Sequence, residues 1–255
     1  MSAPQSITSR DNPLLKRLRL LAQDSTAYRK AGQVWLEGDH LCRALLATGR
    51  KPATTVFTAS GWASAPPELR GASEHQVLIP DALMAGISAL ESPAGVGFVW
   101  DLPVQAVLQD GLPSVVLDRL QDVGNVGSIL RSAAAMGYRQ VLALKGTAAL
   151  WAPKVVRAGM GAHFGLHLVE GLTPDDLAAW SVPLIVTSSH QGDWLHQARL
   201  PWPCAWVLGH EGQGVSEALQ ARASVSVRIA QPGGEESLNV AAAAAICLHA
   251  GAPKP

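Results

Sequence analysis

Apolar positions along the chain fall into two kinds of run. In "DNPLLKRLRLLAQ", which begins at Asp11, Leu14, Leu15, Leu18, Leu21 and Ala22 recur at the period of an amphipathic helix, with Lys16, Arg17 and Arg19 on its other faces. Other runs are short and unbroken. "QVWLEG", "TTVFTA", "HQVLIP", "GVGFVW", "SVVLD", "QVLALKG", "GLHLVEG", "PLIVTSS" and "CAWVLG" each read as a strand. Ala205, Trp206, Val207 and Leu208 follow one another without alternation, which predicts a strand covered on both faces within a parallel sheet. Trp35, Trp100 and Trp206 sit inside such runs and are expected in the core.

The order of the runs predicts two modules. Residues 1–102 combine the first helix, a helix "DHLCRALLATG" capped by Asp39 and closed by Gly49, a helix "DALMAGISAL" and four of the strands into a small α/β unit. Pro103, Gly111 and Pro113 mark a linker. From 113 to 255, about six strands alternate with the helical stretches "SILRSAAAMG", "WAPKVVRAGMGA", "PDDLAAW" and an Ala-rich run from Val240. That alternation predicts an α/β fold with a parallel sheet and helices on both faces.

Charge modifies this picture in one place. Lys plus Arg equal Asp plus Glu at 20 each, yet residues 1–51 hold nine basic and four acidic residues, a net of +5 that leaves −5 for the rest. A basic first module suits a nucleic-acid partner and suits ordinary solvated surface as well. Cys42, Cys204 and Cys247 lie far apart in apolar contexts, the usage of reduced core thiols in the cytoplasm, and none has metal-ligand spacing. "MSAPQSITSRDNP" lacks the apolar core of a signal peptide, and Val240 to Ala245 is too short for a membrane span, so no membrane partner is expected.

Candidate chemistry gathers at two Gly-rich loops. Gly209, Gly212 and Gly214 follow one strand and carry Glu211; Gly233 and Gly234 follow the next and lead to Glu236, Ser237 and Asn239 at a helix start. Parallel sheets bind ligands at the carboxyl ends of their strands. A nucleotide-binding dehydrogenase is disfavoured, because Gly124 and Gly127 do not make G-x-G-x-x-G and Lys145 stands where a ribose-binding acid belongs. "HEGQG" lacks the second His of a zinc helix, and no G-x-S-x-G elbow is present, so neither metal nor triad hydrolysis is expected. Asn125, Arg131, Glu211, Ser237 and Asn239 remain. Each has a structural alternative: Arg131 could pair with Asp122, Asn125 could support a turn and Ser237 could cap a helix.

Together, "LDRLQDVGNVGSILRSAAAMG", "VLGHEGQGVS" and "VRIAQPGGEESLNVAAAAAICL" resemble, in order, the three motifs of the SpoU (TrmH-type) RNA ribose methyltransferases of the SPOUT superfamily. The stretch "ITSRDNPLLKRLRLL" through "VWLEGDHLCRALL" also resembles the substrate-binding domain that often precedes that catalytic domain. This resemblance implies a C-terminal trefoil knot and a homodimer. It implies S-adenosyl-L-methionine as cofactor, with Leu208, Gly209, Ile229 and Leu238 lining its adenine slot. It further implies catalysis by Arg131, oriented with the ribose by Asn125, Glu211, Ser237 and Asn239, and it places Asn125 and Arg131 near a cofactor bound partly by the partner's surface. The expected substrate is structured RNA, ribosomal before transfer RNA; the alternatives are transfer RNA as substrate, or a non-catalytic RNA-binding or ribosome-assembly protein that kept the fold. Two departures stand out. "RIAQPGG" leaves the register of the loop around Ala230 open, and Gly159 occupies a position where the family often has serine, which is expected to loosen that helix.

Overall fold

The unbroken apolar runs become the strands of two separate sheets in the computed structural model, which describes residues 3–103, 106–188, 191–234 and 238–253. In chain order the first elements are β1 (Gln5–Ser6), α1 (Pro13–Gln23), α2 (Ala27–Ala31), β2 (Gln33–Glu37), α3 (Asp39–Leu46) and β3 (Thr54–Thr58). They are followed by α4 (Ala59–Ser64), α5 (Pro67–Arg70), β4 (Gln76–Ile79), α6 (Asp81–Ile87) and β5 (Val96–Asp101). The second series is β6 (Ser114–Asp118), α7 (Val123–Ala135), β7 (Gln140–Leu144), α8 (Pro153–Gly159), β8 (His167–Leu172) and β9 (Leu184–Thr187). It ends with β10 (Asp193–Trp194), β11 (Ala205–Gly209), α9 (Glu217–Gln220), β12 (Val225–Arg228) and α10 (Val240–Gly251).

Two compact units result, one formed by Met1–Val104 with Trp151–Phe164, the other by Gln105–Leu150 with Gly165–Pro255. The stretch Trp151–Phe164, which contains α8, therefore packs with the first unit rather than with the sequence around it. Sheet order in the first unit is β1-β4-β3-β5-β2, with β5 antiparallel to both β3 and β2. Asn12 caps α1 through its side chain and Pro13 opens the helix, which turns Leu15, Leu18, Leu21 and Ala22 onto a core shared with Trp35, Val56, Val77 and Met84. Trp35, Trp100 and Trp206 are all buried.

Asp39 does not cap α3. Gly38 holds the cap position, while Asp39 sits in the first turn and pairs with Arg43 at 2.7 Å, the i,i+4 geometry of a helix face. Gly159 closes α8, where a β-carbon would fall 2.5 Å from Cε1 of His163. A serine there would collide with the imidazole, so the glycine admits the ring.

The second unit carries a sheet of order β10-β12-β9-β11-β6-β7-β8, parallel at every pairing. β11 inserts between β6 and β9, which precede it in sequence, and is buried from Ala205 to Leu208. Ala205 and Val207 join Val116, Leu142 and Val186 in one core layer. Trp206 points to the opposite face, where its Nε1 donates to the hydroxyl of Tyr138 at 2.8 Å and that hydroxyl donates to the carbonyl of Leu248 at 3.5 Å. α10 packs against α7 and β11 on this face. Its Ala-rich composition permits the approach, and at Gly251 a β-carbon would lie 2.7 Å from the indole nitrogen of Trp206. All three cysteines are buried and free, and burial pushes the thiols of Cys204 and Cys247 up to about 11 and about 12. Among the described residues, no helix is long and apolar enough to cross a membrane, and no group of His, Cys, Asp and Glu could hold a metal ion.

Candidate active site

The neighbouring parallel strands β12, β9 and β11 end side by side, and their carboxyl ends open into a cleft of about 410 Å³. Thr187 and Ser188 enter it from β9, Gly209 to Glu211 with Gly214 and Val215 from the loop after β11, and Ile229 and Gln231 from the stretch after β12. Leu238, Asn239, Val240 and Ala243, at the start of α10, complete the lining.

The loop after β11 is held in shape by its own polar groups. His210 and Gly214 exchange backbone hydrogen bonds at 3.1 and 2.8 Å, and Nδ1 of His210 accepts from the amides of Gly212 at 3.0 Å and Gln213 at 3.3 Å. Gly209 starts the loop because a side chain there would overlap the backbone of Gly214 and Val215. From the other side, Arg119, left-handed at φ 63°, sends its guanidinium to Oε1 of Gln213 at 2.8 Å and to the carbonyl of Gly214 at 3.3 Å. The buried Asp118 pairs with Arg119 Nε at 3.0 Å and accepts from the amide of Ser216 at 2.6 Å. Two loops far apart in sequence are tied together by this pair.

At the mouth of the cleft, three of the expected side chains form a relay. Asn239 is the N-cap of α10, and its Oδ1 accepts from the amides of Ala241 at 2.9 Å and Ala242 at 3.2 Å. Its Nδ2 must then face outward, and it donates to Oδ1 of Asn125 at 3.0 Å. The Nδ2 of Asn125 in turn faces Oε1 of Glu211 at 3.5 Å, and the amide of Asp122 adds a 3.4 Å contact to the same oxygen. Partial burial works against the charged form of Glu211, but its own amide, that of Asp122 and the carboxamide of Asn125 outweigh it and hold the carboxyl below its ordinary range. An anionic group thus stands at the cleft mouth at neutral pH.

Other expected positions fall elsewhere. Asn125 lies not in a loop but in the first turn of α7, because Asp122 caps that helix by accepting the amide of Asn125 at 2.7 Å. Asp122 consequently makes no pair with Arg131. Arg131 is exposed on α7, does not line the cleft, and makes no hydrogen bond or ion pair among the described residues. It lies six residues beyond Asn125, a rotation of about 120° from it on the helix. Gly209, Ile229 and Leu238 do line the cleft. Leu208 does not: its side chain is 1% exposed and packed within the sheet. Ser237 and Glu236 lie outside the described residues. Gln231, Thr187 and Arg119 were not singled out from the sequence; only Gln231 carried a hint, as a polar residue in the stretch "RIAQPGG" that follows a strand.

A sequence model of the SpoU rRNA Methylase family matches residues 113–249. Over 256 residues, 96% of this chain and 92% of the other, the protein is 33% identical to an uncharacterized tRNA/rRNA methyltransferase of Synechocystis. It is 30% identical over 187 residues, 72% of this chain and 75% of the other, to a 23S rRNA guanosine 2′-O-methyltransferase of Bacillus subtilis. An AdoMet-bound rRNA methyltransferase of Sinorhizobium meliloti shares its fold with a TM-score of 0.81 at 25% identity, covering 97% of both chains.

Proposed function

The chain belongs to the SpoU rRNA methylase family, and on that premise we propose that it transfers a methyl group from S-adenosylmethionine to a ribose 2′-hydroxyl of RNA. The observation that carries this reading is the convergence of the second and third motif segments on one cleft, to which Asn125 of the first is joined through Glu211 and Asn239; the cleft's volume lies within the ordinary range for a cofactor, about 300–1,000 Å³. The residues present fit the cofactor. Ile229, Leu238, Val240 and Ala243 offer an apolar slot, Gly209 leaves the backbone open to close approach, and Oε1 of Gln231 is a buried acceptor with no partner among the described residues. When bound, S-adenosylmethionine supplies a methyl group already activated by its sulfonium.

The chain must then align a ribose hydroxyl and lower the cost of removing its proton. Glu211, ionised, fixes the carboxamide of Asn125, and Asn239 fixes it from the other side, so both orient groups at the cleft mouth. Ser237 follows from the family resemblance as a further orienting residue. Arg131 holds a substrate phosphate and stabilises negative charge growing on the 2′-oxygen. A guanidinium with pKa above about 12 is a poor free base, so Arg131 is assigned to polarisation rather than to proton removal.

Its isolation from the cleft of its own chain supports a homodimer in which Arg131 serves the partner's cleft, and the exposed Ile246 on α10 supports an apolar subunit contact. Insertion of β11 between earlier strands, with α10 returning onto α7, supports the trefoil knot. Residues 1–102 are assigned to substrate choice and 113–255 to methyl transfer. The basic start supports RNA as the partner, the rRNA-modifying relatives support ribosomal RNA over transfer RNA, and three buried free thiols support a cytoplasmic setting. The test is Arg131→Ala: methyl transfer to undermodified ribosomal RNA is expected to fall at least about 100-fold while calorimetric affinity for S-adenosylhomocysteine stays within about threefold. Loss of affinity in step with activity would place Arg131 in cofactor binding and overturn its role.

A further inference from the structure

Gln231 carries a buried acceptor that no group among the described residues satisfies. It lies three residues beyond the end of β12 and lines the cleft together with Ile229, Leu238, Val240 and Ala243. Its backbone is pinned there: the carbonyl of Gln231 accepts from the amide of Gly234 at 3.1 Å, closing a turn with Pro232 at its second position and Gly234 at φ 74°. Oε1 is buried and has no hydrogen-bond partner among the described residues. A buried acceptor left in that state is destabilising, so it persists where a ligand supplies the missing donor.

We infer that the Gln231 carboxamide reads the polar edge of the purine ring of the methyl donor. The inference rests on the methyl-transfer reading above and adds the atom that recognises the base. A carboxamide is neutral and presents one acceptor beside one donor, the complement of an adenine edge on which an exocyclic amine adjoins a ring nitrogen. The charged end of the donor, with its carboxylate, ammonium and sulfonium, calls for charged partners. Ile229, Leu238, Val240 and Ala243 share the lining with Gln231, and such aliphatic groups suit the faces of a flat uncharged ring. The side chain therefore adds discrimination by hydrogen bonding to the shape that the aliphatic part of the lining supplies.

The test is a cycle of two proteins and two ligands, read by calorimetry without turnover. Wild type and Gln231→Met are each titrated with S-adenosylhomocysteine and with its analogue lacking the 6-amino group of the purine. Wild type is expected to bind the deaminated analogue about tenfold more weakly, whereas Gln231→Met binds both ligands with nearly equal affinity, itself about tenfold below wild type for the natural one. The same tenfold loss in both proteins would show that another group reads the amine and would overturn the inference, leaving the methyl-transfer reading intact. Absence of binding by either protein to either ligand would overturn both. Thermal unfolding of Gln231→Met within a few degrees of wild type accompanies the expected result.

Discussion

A single carboxamide at Asn239 sets the polarity of the whole relay. Because the amides of Ala241 and Ala242 require an acceptor, Oδ1 is committed to them and Nδ2 to Asn125, and the choice passes on to Glu211. Capping and relay can therefore be separated. Asn239→Asp keeps the cap but sets an oxygen against Oδ1 of Asn125, so stability to urea should hardly change while methyl transfer drops about tenfold or more. Asn239→Ala loses both, with an added stability cost of about 1 kcal/mol. Equal unfolding midpoints for the two variants would refute the capping role; undiminished turnover in the Asp variant would refute the relay. The sequence made Asn125, Glu211 and Asn239 visible through their motifs, and the structure brings them together. The hydrogen bonds joining them run between residues about a hundred positions apart, which no local pattern can register.

Elements were legible where burial alone decides their type. Unbroken apolar runs became strands of the second sheet, because covering both faces removes the need for alternation. Ends were less legible, since they depend on which polar side chain wins the free amides. Asp122 started α7 earlier than the run "SILRSAAAMG" suggests, and Gly38 displaced Asp39 as the cap of α3. Facing was also hidden: Leu208 and Gly209 are adjacent in β11, yet one is packed in the sheet and the other opens on the cleft. The loop after β11 depends on that glycine. Gly209→Ala would push a methyl group into the backbone of Gly214 and Val215 and break the fit to Arg119. The expected cost is about 1–3 kcal/mol in urea unfolding, with S-adenosylhomocysteine affinity down more than about tenfold. Wild-type affinity in this variant would mean that the loop's shape does not govern the cleft.

At the scale of the whole molecule, two α/β units divide the chain, and the division cuts across sequence order at Trp151–Phe164. A boundary read from Pro103, Gly111 and Pro113 misses this excursion, because a short helix shows its apolar side without showing which unit will cover it. Arg131 poses the same problem one level up. The motif resemblance singles it out, but in a single chain it stands exposed and outside the cleft lining, and the proposed homodimer is what would give it a site to act on. The most direct test of the proposed activity is mass-spectrometric mapping of ribose methylation in RNA incubated with the purified protein and S-adenosylmethionine. The expected result is a new 2′-O-methylated nucleotide in undermodified ribosomal RNA, absent when Arg131→Ala replaces the wild type. No new methyl group on any ribose of ribosomal or transfer RNA would contradict it.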